Sequence, residues 1–135
     1  MTNTDDPRVL TTSTNDALGD HDVVGLQSEL AAGKVHPQEL LAAALGCLDR
    51  AADLNATVAR IDPESELRNL LVGSSGAFAG IPSYVKDNED VTGLPTTQGS
   101  RAVKPTPAMG DSWLVQRFRE LGFRFWLKPR CPISA

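Results

Sequence analysis

Side chains able to do chemistry crowd one stretch of this chain, GIPSYVKDNEDVTGLPTTQGS, from Gly80 to Ser100. Lys86 stands at the end of an apolar run, and Gly93, Thr96, Thr97, Gly99 and Ser100 follow it. The glycines allow backbone geometries closed to other residues, and the Thr96, Thr97 and Ser100 hydroxyls can tie a loop around a site. Taken singly, each hydroxyl reads as a structural contact within that loop. Lys86, by position alone, reads as a solvated lysine at a strand end. Nucleophiles elsewhere are less organised. Cys47, Cys131, His21 and His36 fall in no recognisable catalytic pattern, and Cys47 lies on the apolar side of a helix, where a thiol packs as a small hydrophobe. Ser74 and Ser75, in the GSSG run from Gly73 to Gly76, belong to a small-residue linker ahead of the lysine.

The elements around this stretch must position it. Residues 81–86 are expected as a strand in which Ile81, Ser83 and Val85 face one way and Tyr84 and Lys86 the other. Lys86 then sits at the strand's carboxyl end, the edge of an α/β sheet where sites gather. Upstream, Val23, Leu26 and Leu30 keep helical spacing after Asp22, with Gly33 at the C-cap. A second helix takes Pro37 into its first turn and carries Leu41, Ala44, Leu45 and Leu48 on one face to about Leu54. ATVARI then alternates as a strand, and PESELRNLLV reads as a short helix. Asp111 is expected to cap a further helix with a buried stripe of Leu114, Phe118 and Leu121, ended by Gly122 and followed by a strand in FRFWL. This order implies the α/β class, a layered sheet with helices on its faces. The Thr/Asn/Asp-rich residues 1–20 are expected as a flexible arm.

Composition narrows the function classes. At 135 residues and 41% hydrophobic, the chain fits one globular domain. A net charge of −4 with scattered basic residues argues against a nucleic-acid partner, since phosphate contacts need clustered Lys and Arg. The densest basic group, Arg117, Arg119, Arg124 and Lys128, is interrupted by Glu120 and reads as a solvated helix face. Two cysteines supply neither a disulfide framework nor metal-ligand spacing, which fits a reducing cytoplasm and implies no metal or other cofactor. The start of the chain shows no basic leader followed by an apolar block, and no apolar run reaches the roughly 18 residues of a membrane span.

The stretch FAGIPSYVKDNEDVTGLPTTQGS resembles the opening motif of the amidase signature family. Gly80, Pro82, Val85, Lys86, Asp87, Gly93, Thr96, Thr97, Gly99 and Ser100 all stand where that motif wants them. Upstream, VHPQELLAAALGCLDRAADLNATV resembles the family's second helix with its Leu-Asn-Ala ending, and DSWLVQRFRELGF resembles the helix that follows the motif. The similarity runs from about Asp22 to Phe125. It implies the N-terminal part of the amidase-signature fold, helices packed on a partial mixed β-sheet. It also implies hydrolysis of carboxamide C–N bonds in small-molecule amides by a serine nucleophile, a second serine with a cis peptide, and a buried lysine.

By this resemblance Lys86 is the catalytic lysine, taking a proton through the bridging serine. That role needs the neutral amine. A free lysine titrates near 10.4, and burial lowers this by up to roughly 3 to 5 units, so a dry pocket would make a base of it. Asp87, Glu89 and Asp90 would oppose the shift if they pointed inward, but alternation sends Asp87 to the other face. Thr96, Thr97, Gly99 and Ser100 are the loop candidates for contact with substrate.

Members of the family carry both serines in a Gly/Ser-rich segment well downstream of the lysine, and no such segment is present here. The resemblance therefore implies a fragment inactive alone, with residues 21–127 as a partial domain whose few strands leave unpaired edges and whose Trp113, Phe118, Phe123, Phe125 and Trp126 are partly exposed. Residues 128–135 form an atypical tail. Where the family runs through Gly-Lys-Thr to Leu-Pro-Glu-Phe-Gly, this chain reads LKPRCPISA. A shifted reading frame is one expectation for the tail: codons for Cys131 to Ala135, read from the preceding third base, admit Leu-Pro-Asp-Phe-Gly. Two other readings stand beside the hydrolase. One is a non-catalytic module that pairs with another chain, or with itself, through an exposed sheet edge. The other is a component of an amidotransferase that works on charged tRNA, to which the acidic balance lends no support.

Overall fold

Three short strands and three helices follow from these patterns in a computed structural model that describes residues 15–60, 62, 64 and 75–129. In chain order they are α1 (Val23–Ala31), α2 (Pro37–Arg50), a 3-10 turn (Ala52–Leu54), β1 (Thr57–Arg60), β2 (Pro82–Tyr84), α3 (Trp113–Glu120) and β3 (Arg124–Pro129). The expected helix over 63–72 falls almost wholly outside the described residues, as do Ser74, Cys131 and the tail from 130 onward.

Local chemistry explains where the helices begin and end. Asp22 caps α1, its Oδ1 accepting from the Gly25 amide at 2.8 Å. At the start of α2, Pro37 occupies the first turn and the His36 amide donates to Glu39 Oε2 at 2.8 Å, which uses a donor that the helix cannot satisfy. This helix stops at Arg50, short of the expected Leu54, and the chain tightens into the 3-10 turn before Asn55 enters the left-handed region at φ 47°. The cap of α3 is Ser112 and not Asp111: Ser112 Oγ accepts from the Val115 amide at 3.4 Å, while the Asp111 carboxylate is taken up by Thr92 and Arg119. In α3 Val115 turns inward to full burial, and Leu121, the C-cap of an eight-residue helix, is 43% exposed.

The sheet has the order β1-β3-β2, with β1 antiparallel and β2 parallel to the central β3. It is thus mixed, as a partial amidase-signature sheet is expected to be. Two apolar clusters flank it. One is Val85, Val91, Val115 and Phe125, and the other is Leu26, Leu40 and Ile81. Phe123 packs on both, stacking on Phe78 with ring centroids 4.5 Å apart. Beside that stack the 76–79 turn and the end of α3 meet backbone to backbone, the Phe78 amide donating to the Leu121 carbonyl at 2.8 Å. Gly122, at φ +96°, makes the approach feasible: a Cβ there would lie 2.7 Å from the Ala79 nitrogen.

The last part of the expected arm is structured. Residues 15–20 turn back so that Ala17 and Leu18 pack against the Leu26 cluster. Of the aromatics expected at the surface, Trp113 is 69% exposed, Phe118 and Phe123 are half-buried, and Phe125 is buried as the floor of the first cluster. The Trp126 side chain lies outside the described set.

Candidate functional site

β2 is shorter than the expected strand at 81–86. Its register with β3 slips between Ser83 and Tyr84, and beyond Tyr84 the chain leaves the ladder to turn, the Glu89 amide donating to the Lys86 carbonyl at 3.1 Å. Lys86 therefore lies two residues past the end of β2, still at the carboxyl edge of the sheet. Its side chain is exposed, where the lysine base calls for burial. The difference has a simple cause. The described residues cover only the side of the turn that holds Asp87, so the face carrying Tyr84, itself 67% exposed, and Lys86 stays open.

Asp87 points the other way, as alternation requires, into full burial. There it meets Lys128, which in sequence reads both as part of a solvated basic helix face and as the start of the tail. It lies on neither, because β3 runs on through Pro129 and carries it inward to full burial. Lys128 Nζ lies 3.1 Å from Asp87 Oδ1, with neither side chain exposed. The same nitrogen donates to the Pro95 carbonyl at 2.8 Å and to Thr96 Oγ1 at 2.8 Å, so its three donor positions each have an acceptor. Asp87 Oδ2 accepts from Thr97 Oγ1 at 2.7 Å and from the Gly99 amide at 3.1 Å, and the Thr97 amide reaches the carboxylate at 3.2 Å. Its main chain is tied as well: the Asp87 amide donates to the Pro129 carbonyl at 3.2 Å, and its carbonyl accepts from the Gln98 amide at 3.0 Å. Burial on its own would raise the Asp87 carboxyl. The bonds from Thr97, Gly99 and Lys128 together outweigh that and hold it below the usual aspartate value.

The loop candidates accordingly serve the fold. Thr97 is bound to Asp87 and Gly99 donates to it, while Thr96 Oγ1 accepts from Lys128 and donates to Asp90 Oδ1 at 2.6 Å. Ser100 Oγ accepts from the Ala102 amide at 3.2 Å. The loop is also braced against α3. Thr92 gives both its amide and its hydroxyl to Asp111 Oδ1 at 2.8 Å, Arg119 Nε meets Asp111 Oδ2 at 2.7 Å, and Ser112 Oγ donates to Glu89 Oε2 at 2.6 Å. Asp111 too is held below its usual value, with burial opposing and the Thr92 and Arg119 contacts prevailing. Glu89 and Asp90, which could have faced the lysine, are thus occupied on the loop side.

Cys47 is half-buried and His36 sits at the start of α2, so neither joins this cluster. Among the described residues no group of three or more His, Cys, Asp or Glu could hold a metal ion. The signal for Asp87 was available in strand alternation. For Lys128 there was none, since its partners lie 32 or more positions away.

Comparison with known proteins places the geometry in a family. The Amidase family model matches residues 39–134. AmiC of Mycobacterium tuberculosis, described as an amidase, is 34% identical over 104 residues, which are 76% of this chain and 22% of that protein. The indoleacetamide hydrolase of Pseudomonas savastanoi is 32% identical over 106 residues, 76% of this chain and 23% of the relative. Among solved structures, 6-aminohexanoate cyclic dimer hydrolase superposes on 86% of this chain with a TM-score of 0.73 at 26% identity, the match covering 24% of the hydrolase. The chain spans about a fifth of the length of AmiC. With the motif from Gly80 to Ser100 inside the matched residues and the fold shared, this chain belongs to the amidase family.

Proposed function

We propose that this chain supplies the lysine-bearing part of an amide hydrolase, with Lys86 as the group that moves the proton and both serines contributed from outside these residues. The observation that carries this reading is the placement of Lys86. It projects into the open at the carboxyl edge of the sheet, from a turn whose other side is locked into the fold through Asp87. An amine held by a fixed backbone and facing an uncovered surface can be desolvated by whatever closes over it, and closure is what would make it a base. Thr96, Thr97, Gly99 and Ser100 act in this proposal as the frame of the turn, with the substrate amide bound by residues on the covering side. A cytoplasmic setting accords with the two sparse cysteines, and no described helix is long and apolar enough to cross a membrane.

The test pairs activity with complementation. The purified chain and its Lys86→Ala variant are assayed on a panel of aliphatic and aryl amides, alone and together with a polypeptide carrying the Gly/Ser-rich remainder of an amidase-family domain. No turnover is expected from the chain alone, and turnover that Lys86→Ala abolishes is expected from the mixture. Hydrolysis that survives Lys86→Ala would end the proposal for the lysine.

A second reading, an interaction module, is favoured by one observation. Leu41, Leu45 and Leu48 of α2 and Tyr84 of β2 line an apolar groove of about 390 Å3 beside the outer strand of the sheet. A protein partner seated there would pair with β2 and cover α2, and such a partner is compatible with the hydrolase reading.

A further inference from the structure

Among the described residues the buried polar and charged side chains are Asp87, Thr97 and Lys128, and all three belong to one cluster. A buried ion pair is weak evidence of stabilisation, because desolvating two charges consumes most of what their attraction returns, and apolar replacements of similar volume are often as stable. Its better attested effect is to select one geometry over others. Here the geometry selected adjoins Lys86.

We propose that Lys128 is a positioning residue for Lys86, acting through Asp87 to hold the 86–89 turn and the 95–100 loop as one unit. This deepens the reading of Lys86 as the proton-transferring group and takes its functional meaning from it. The route is short and covalent at its last step. Lys128 reaches from β3 to the Pro95 carbonyl, Thr96 Oγ1 and Asp87 Oδ1, three points on two segments. Asp87 carries the constraint onward with two carboxylate oxygens and both main-chain groups, fixing Thr97, Gln98, Gly99 and Pro129 around itself. Lys86 is the residue immediately before it, and the Lys86 carbonyl accepts from the Glu89 amide at 3.1 Å. With Lys128 gone, Asp87 becomes a buried carboxylate with no countercharge, and it relaxes toward water by opening the loop it now closes. Lys86 moves with it.

The experiment uses the isotope-labelled full chain without substrate, comparing it with Lys128→Met and with the double variant Asp87→Asn, Lys128→Met. Amide hydrogen exchange and the Lys86 side-chain NMR shifts at Cε and Nζ, which lie beyond the covalent effect of substituting residue 87, are recorded. Lys128→Met leaves the aspartate unbalanced and risks unfolding. The double variant removes both charges with nearly unchanged volume, so its melting temperature is expected to return close to that of the parent. Even so, exchange at Thr97 and Gly99 is expected to quicken about tenfold or more and the Lys86 signals to shift, while Leu26 and Leu40 amides keep their protection. Parent-like exchange at Thr97 and Gly99 with unshifted Lys86 signals in the double variant would overturn the proposal. A double variant that loses protection at Leu26 and Leu40 as fully as at Thr97 would overturn it too, by making the pair a general support of the fold. Since no substrate is present, a Lys86→Ala chain that hydrolyses amides normally would sink the catalytic reading and leave this positional result standing.

Discussion

The loop around Asp87 and the outer face of α2 respond to burial in opposite ways. The loop encloses two charges and matches every one of the Lys128 donor positions to an acceptor within 3.1 Å. On α2, Leu40 is fully buried against Leu26 and Ile81, yet Leu45 and Leu48, one and two turns on, line an open groove. Polar groups had to be closed locally, because an unmatched buried charge is far more costly than an exposed leucine. Apolar surface tolerates waiting for a cover. The difference teaches that the turn bearing Lys86 is held shut on its Asp87 side by these residues, whereas Lys86 itself and the outer face of α2 stay open among them.

The strongest way to break that contrast is to unmatch the charges. Asp87→Ala strands Lys128 in the interior and is expected to cost about 3–5 kcal/mol in urea unfolding, enough to unfold a domain of this size under mild conditions. A cost under about 1 kcal/mol would mean that water reaches Lys128 and that the loop is less closed than its bonds indicate. Gly122→Ala comes next. The left-handed φ and the 2.7 Å approach to the Ala79 nitrogen predict a loss of about 1–3 kcal/mol, read as a lower melting temperature, with the contact between the 76–79 turn and α3 loosened first.

Acid probes the same region more gently. Asp87 and Asp111 titrate below the ordinary aspartate value of 3.8 in the folded chain, so each contributes stability that is complete above the unfolded value and is lost as pH falls through the folded one. Stability is expected to be level near neutrality and to fall below about pH 4, and Asp111→Asn should flatten part of that decline. A urea midpoint recorded at successive pH values measures it. A stability that rises on acidification across that range would contradict the hydrogen-bonding assigned to both carboxylates.

What could be read from residues alone follows the same division. The starts of α1 and α2, the three strands and the inward turn of Asp87 depend on neighbours within a few positions, and alternation or capping chemistry exposes them. The Lys86 motif was legible because its glycines and hydroxyls are spaced along one continuous loop. Lys128 was not, because a lysine in a strand has no local mark of burial, and only the β2–β3 pairing brings it to Asp87, 41 positions back in sequence. Position alone reads Lys86 as solvated, as it is, and the burial implied by the resemblance is absent for a related reason. Burial depends on what packs over a side chain, and none of the described residues closes over Lys86. Leu121 illustrates a smaller failure: α3 ends at Glu120, so the expected last member of the stripe is the C-cap and stands 43% exposed, while Val115, adjacent to the expected Leu114, is the residue fully buried.

The smallest loss is expected at Leu45, and measured against Leu40 it sharpens the contrast from the apolar side. Leu40 and Leu45 are alike in side chain and lie on the same helix, separated by five positions, but only Leu40 is enclosed. Leu40→Ala should leave a cavity beside Leu26 and Ile81 and cost about 2–5 kcal/mol. Leu45→Ala removes atoms from the wall of a groove that is already open, and less than about 1 kcal/mol is expected, with no change in the cooperativity of unfolding. If Leu45→Ala were instead as damaging as Leu40→Ala, the groove would be filled in solution, and sedimentation of the parent chain should then show an assembly larger than one copy. Equal, small losses at both positions would mean that the Leu26 cluster is itself loose, leaving the Asp87 loop and the Val91, Val115 and Phe125 cluster as the closed regions among the described residues.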